Sequence, residues 1–190
     1  MNALPSSDDG AVVDACVLAN VIVADLFLRA AKRAGAFIPK WSAMIIKETR
    51  RTMTTKFGWR PDEVASRLTA MDAAFPRASV SGYEPLIGQC SNDEGDRHVL
   101  ACAIKAKATT IVTFNVRHFR HEHLSPWGVR AVHPQDYLLE LYTQRAAGIW
   151  DQVSLAAEKR GVSLSEMLGD YAKHLPRFAE RLLADLGNAS

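Results

Sequence analysis

Residues 11–14 (AVVD) set apolar side chains directly before a carboxylate, which reads as a short buried strand. From 17 to 34 the chain is apolar and Ala-rich up to Gly35, and this predicts a helix with a glycine stop. Phe37, Ile38 and Pro39 form a short extended piece. Ser42 is placed to cap a helix running to about Thr55, and Pro61 holds the first-turn position of a helix over 61–74. A strand over 79–83 and a helical turn over 84–90 follow. Asn92-Asp93-Glu94-Gly95-Asp96 then opens a helix that continues to about Lys107. TTIVTF at 109–114 is β-branched and apolar, the pattern of a strand, and VRAV at 129–132 predicts another. A further helix runs from Pro134 to about Thr143. Helices alternating with short apolar strands predict an α/β fold with a parallel sheet.

The pattern divides the chain into a loose tail (1–10), an α/β domain (11–145) and a helical extension (146–190). Two or three helices and no strand are expected over 147–187. Ser163 and Glu166 have capping-box spacing there, and Pro176 opens a last helix with Phe178, Leu182, Leu183 and Leu186 on one face.

With 190 residues, 48% of them apolar and 23% charged, the chain has the composition of an ordinary globular protein with a real core. A formal charge of +2 is too mild to argue nucleic-acid binding by itself. Cys16, Cys90 and Cys102 are odd in number and widely spaced, as expected of small core residues in a reducing compartment. No apolar run reaches the ~18 residues of a membrane span, and the polar start lacks the pattern of a signal peptide, so the cytoplasm is the expected location.

Several polar residues stand where a core pattern would not put them. Asp14 follows a strand directly and so lies at its C-terminal end, the edge at which parallel α/β sheets bind ligands; capping the next helix is the plain alternative. Glu48 shares helical spacing with Trp41, Met44, Ile45 and Thr52, a mostly apolar set, so it must reach solvent, pair, or bind a cation. Asp96 lines up with Val99, Leu100 and Ala103, while Asp93 suits an N-cap. Asn115 ends the 109–114 strand after Thr113, at the same edge as Asp14. Convergent carboxylates repel, and a divalent cation resolves the conflict; oxygen ligands favour Mg²⁺ or Mn²⁺ and suit phosphodiester hydrolysis. Thr113 could hold a water or a carboxylate through its hydroxyl.

VVDACVLAN (12–20), the Glu48 helix, SNDEGDRHVLACAI (91–104) and IVTFNVRHF (111–119) together resemble the PIN-domain nucleases, in particular toxin subunits of the VapC type. The resemblance covers roughly residues 11–137. It implies a three-layer α/β/α fold with a central parallel sheet and metal-dependent cleavage of single-stranded RNA. It also implies metal-binding acids at Asp14, Glu48 and Asp96, an auxiliary Asp93, and Asn115 where many members carry a fourth acid. Cys16 stands where the family often has Asn or Ser, which predicts a lost hydrogen bond near Asp14. A cognate antitoxin and a homodimer are the partners it implies.

Arg117, His118, Arg120, His121 and His123 follow Asn115 and read as a phosphate-gripping loop, a solvated basic loop, or a zinc site. Two rival functions remain open. A haloacid-dehalogenase-like phosphatase also uses an Asp after the first strand, but it wants a second Asp where this chain has Cys16, and a Thr strand before the acidic pair. A PIN-like module that binds RNA or a partner without cutting is the other.

Overall fold

The computed structural model describes residues 10–188; the tail expected over 1–10 lies outside them except for Gly10, which opens the first strand. The elements are β1 (Gly10–Val13), α1 (Ala15–Ala19), α2 (Val21–Lys32), β2 (Ile38–Ser42), α3 (Ala43–Thr55), α4 (Pro61–Ala74), β3 (Ser79–Val80), α5 (Arg97–Ala106), β4 (Thr110–Val112), α6 (His121–Leu124), β5 (Arg130–Val132), α7 (Pro134–Arg160), α8 (Leu164–Ala172) and α9 (Pro176–Asn188). Tight helical turns cover Glu84–Gln89 and Glu94–Asp96.

The five strands form one parallel sheet in the order β3-β2-β1-β4-β5. Helices flank it on both sides, giving the expected three-layer α/β/α architecture with added C-terminal helices. α5 packs on β1, β2, β3 and β4, whereas α2 packs with α7 and α8. The chain winds outward from β1 to β2 and β3, then crosses back to β4 and β5. The winding direction therefore reverses between β1 and β4, the position beyond whose C-terminal strand ends parallel α/β sheets bind ligands.

Local chemistry explains most element boundaries. Ser42 caps α3 by accepting from the Ile45 N–H at 3.2 Å, and Pro61 begins α4. Ser163 and Glu166 form the expected capping box at α8. The single helix expected over 17–34 is instead α1 and α2, because Asn20 leaves helical geometry and its side chain accepts from the Val23 N–H. The helix expected over 94–107 begins only at Arg97, after the Glu94–Asp96 turn. The helix expected to stop near Thr143 continues as α7 to Arg160, with one non-helical residue, Arg145 (φ −138°, ψ 41°). Among the described residues no helix is long and apolar enough to cross a membrane.

Candidate active site

β1 and β4 pair in parallel with Val13 opposite Val112, so the residues that follow, Asp14 and Thr113, emerge side by side at the switch point. Asp14 is only 3% exposed, yet its carboxylate is well supplied with donors. Oδ1 accepts from the Ala15 N–H at 2.6 Å; Oδ2 accepts from Thr113 Oγ1 at 2.6 Å and from Cys16 Sγ at 3.2 Å. Thr113 Oγ1 in turn accepts from the Asn115 N–H at 3.0 Å, which fixes the turn after β4. The lost hydrogen bond expected from Cys16 is thus corrected: the thiol takes the donor's place and also accepts from the Phe114 N–H at 3.3 Å. Burial and the neighbouring Asp14 charge push that thiol up to about 12, so it is a donor and not a nucleophile.

Asp96 is the N-cap of α5, and its half-buried carboxylate accepts from His118 Nδ1 at 2.6 Å. Burial raises its pKa, with the charges of Asp14 and Asp93 adding to the rise, while His118 opposes it. His118 lies in the turn after β4, whose end pairs with that of β1, so its bond draws Asp96 toward the edge where Asp14 lies. Asp93 caps the preceding turn by accepting from the Gly95 N–H at 3.2 Å. Ligand atoms of Asp93, Asp96 and His118 lie within 4.8 Å of one another.

Glu48 sits differently from its expected place. Trp41 belongs to β2 and Met44 is exposed; the buried face of α3 is Ile45, Thr49 and Met53, which leaves Glu48 on its flank. Its Oε1 lies 3.2 Å from His98 Nε2, close enough for an ion pair but not aligned as a hydrogen bond. His98 is in the first turn of α5, so this contact ties Glu48 to the helix headed by Asp96. The sequence reading passed over His98, although its position two residues after Asp96 was the available signal.

The loop after β4 and the segment before α5 line a polar cavity of about 450 Å³ with Asp93, Arg117, His118, Arg120 and His123, and Arg117 Nε donates to His118 Nε2 at 3.2 Å. All three residues expected to contact substrate, Arg117, His118 and Arg120, line this cavity with Asp93. His118 is also the partner of Asp96, a role the sequence did not suggest. The zinc reading fails on geometry: His118 bonds Asp96, whereas His123 Nδ1 is 2.8 Å from Ser91 Oγ, so the histidines turn to different partners. Asn92, buried and with both amide atoms unpartnered, lines the same cavity and carried no sequence signal.

The donor set fits a hard divalent cation. Among the described residues no lysine or arginine forms a salt bridge with Asp14, Asp93 or Asp96, and the side chain that meets Asp96 is the imidazole of His118.

A PIN-domain family model matches residues 10–117. A curated relative, "Putative ribonuclease VapC50" of Mycobacterium tuberculosis (strain ATCC 25618 / H37Rv), is 40% identical over 91 residues, 48% of this chain and 52% of the relative. The chain thus spans about half the length of the relative it matches. No solved structure matches. With a five-stranded parallel sheet and the family model covering more than half of its length, the chain belongs to the PIN-domain family.

Proposed function

We propose that this chain is a divalent-metal-dependent endoribonuclease that hydrolyses single-stranded RNA and serves as the toxin of a toxin–antitoxin pair. The observation that carries this reading is the group of Asp93, Asp96 and His118, bordered by an arginine-bearing cavity, together with the buried Asp14 at the end of β1. The name of the relative from Mycobacterium tuberculosis supports the same activity. The carboxylates of Asp14, Glu48, Asp96 and Asp93 would hold Mg²⁺ or Mn²⁺, which supplies an activated water and neutralises charge on the leaving oxygen. Thr113 and Cys16 orient Asp14, and His118 orients Asp96. Arg117 and Arg120 grip the phosphates on either side of the cut, and Asn115 closes the rim. A cognate antitoxin, a homodimer and a cytoplasmic location belong to this reading.

The neutral Asn115, standing where many family members carry an acid, favours a second reading: a PIN-like module that binds RNA or a partner without cutting it. One experiment decides between them. Cleavage and binding of a single-stranded RNA are measured together while Mg²⁺ or Mn²⁺ is titrated, with Asp14→Asn and Asp96→Asn as controls. Metal-dependent cleavage that both substitutions abolish, in folded proteins, is the expected result. Binding without cleavage at any metal concentration would establish the second reading instead.

A further inference from the structure

The helical extension meets the α/β core around a second cavity, of about 380 Å³, distinct from the one beside the acids. Its charged lining is Asp25 and Arg29 from α2, Arg67 from α4 and Arg160 from the end of α7. Val21 and Ile22 on α2, with Met167 and Tyr171 on α8, make an apolar wall. A neighbouring cavity of about 230 Å³ shares Asp25, Arg29 and Arg67 and adds Lys32 and Arg33.

The three guanidinium groups are not equally satisfied. Arg29 Nε donates to Asp25 at 2.6 Å, and Arg160 Nη2 donates to Asp170 at 2.9 Å. Arg67 has no carboxylate within ion-pair distance among the described residues, and its Nε is shielded from water without an acceptor. Desolvation lowers the pKa of Arg67, with Asp25 compensating only in part. A half-buried guanidinium whose Nε is shielded and unpartnered, with Asp25 compensating only in part, is stabilised by an added anion.

We propose that this cavity binds the phosphate group of a phosphate monoester. The donor count selects phosphate. Arg67 and Arg29 both retain their Nη groups, more donors than the two oxygens of a carboxylate take, whereas three phosphate oxygens accept them. The size selects an ester over the free ion: the cavity is larger than phosphate alone, and the apolar wall of Val21, Ile22, Met167 and Tyr171 faces the remaining space. Since the walls come from α2, α4, α7 and α8, the C-terminal helices complete the site. The inference stands apart from the proposed nuclease activity, because no acid of the β1–β4 rim lines this cavity.

Titration calorimetry on the full chain, with EDTA present and ionic strength held constant, tests it with adenosine monophosphate as probe and adenosine as control. The monophosphate binds, excess inorganic phosphate competes with it, and adenosine does not bind. Arg67→Gln weakens binding at least tenfold, while a chain with both Arg117→Ala and Arg120→Ala binds as wild type. Arg160→Gln gives an independent loss of the same order should Arg67→Gln fail to fold. Equal binding of adenosine and its monophosphate, unchanged affinity in either guanidinium variant, or loss of binding in the Arg117/Arg120 variant would each overturn the assignment.

Discussion

Thr113 Oγ1 donates a 2.6 Å hydrogen bond to Asp14 Oδ2 across the paired ends of β1 and β4. Both side chains are buried, and the same hydroxyl accepts from the Asn115 N–H, so one threonine fixes an acid and the turn beyond it. Parallel pairing makes this possible, because it delivers two strand ends to the same edge in register.

Thr113→Val removes the donor while keeping the shape. A hydrogen bond to a buried charged group contributes about 1.5–3 kcal/mol, so the variant loses stability of that order in the metal-free chain. RNA cleavage falls as well, because Asp14 is free to turn. Thr113→Ser restores both. Urea denaturation and cleavage rates measured side by side check this; a valine variant with wild-type values in both would remove Thr113 from the site.

Much of this arrangement was legible beforehand, for a local reason. Asp14 and Thr113 each follow a short apolar strand directly, and a parallel sheet forces such residues to a common edge. Capping is equally local, so Ser42, Pro61 and the Ser163–Glu166 pair mark helix starts that the structure has. What failed depended on tertiary geometry. The rotation of α3 is set by where Ile45, Thr49 and Met53 pack, which helical spacing alone does not fix, so Trp41 and Met44 drop out of the expected set while Glu48 lies half-exposed on the flank and meets His98. His118 is 22 positions from Asp96, and nothing local announces their bond. The Arg67 cavity draws on four helices, including the extension, and was invisible as a pattern.

The loop cavity predicts a salt effect. Arg117 and Arg120 are exposed; Arg117 Nε donates to His118 and, among the described residues, Arg120 pairs with the exposed Glu122 at 3.6 Å, which leaves both with guanidinium donors for phosphates. Replacing both with Ala weakens RNA binding for all sequences alike and lowers the salt dependence of log Kd, by about one phosphate contact per arginine. Fluorescence anisotropy over a salt series reads this directly. An altered sequence preference with an unaltered salt slope would assign the loop to base recognition.

His133 gives the protein a pH dependence away from the acids. It caps α7, its Nδ1 accepting from the Gln135 N–H at 3.2 Å, and its ring meets Phe114 edge-on at 5.2 Å. Burial lowers its pKa below the usual 6.5, with Arg177 adding to the shift and Asp136 opposing it. The unfolded chain therefore binds the proton more readily, and stability falls as pH drops through 6.5 toward the lowered folded value. The sign agrees with the structure, since a protonated Nδ1 cannot accept and a cation opposes the helix dipole. His133→Asn retains a capping acceptor without the titration, so melting temperatures between about pH 7.5 and 5 should fall less in the variant than in wild type. Parallel curves would assign the acid sensitivity to other groups.

The C-terminal helices are held to the rest of the chain by specific contacts. Phe178 is fully buried and meets the Tyr142 ring edge-on at 6.2 Å. Tyr142 Oη donates to Asp185 at 2.7 Å, and the Arg177 N–H donates to Gln135 Oε1 at 2.7 Å. Further along α7, Ile149 and Val153 are fully buried, and α7 packs on α2. Ending the chain after Thr143 would remove these partners and leave Tyr142 and the apolar side of α2 facing water. Such a truncation is expected to aggregate or to melt well below wild type. A milder probe separates packing from chemistry. Phe178→Ala deletes a buried ring at a cost of about 3–5 kcal/mol, but it touches no residue of the β1–β4 rim. Its unfolding midpoint should drop accordingly, while the cleavage rate per folded molecule, measured well below the melting temperature, stays within about twofold of wild type. A truncated chain that remained soluble with an unchanged melting temperature would mean that these contacts contribute nothing to the fold. A Phe178→Ala protein that stayed folded yet lost cleavage would instead place α9 in the path to the catalytic rim.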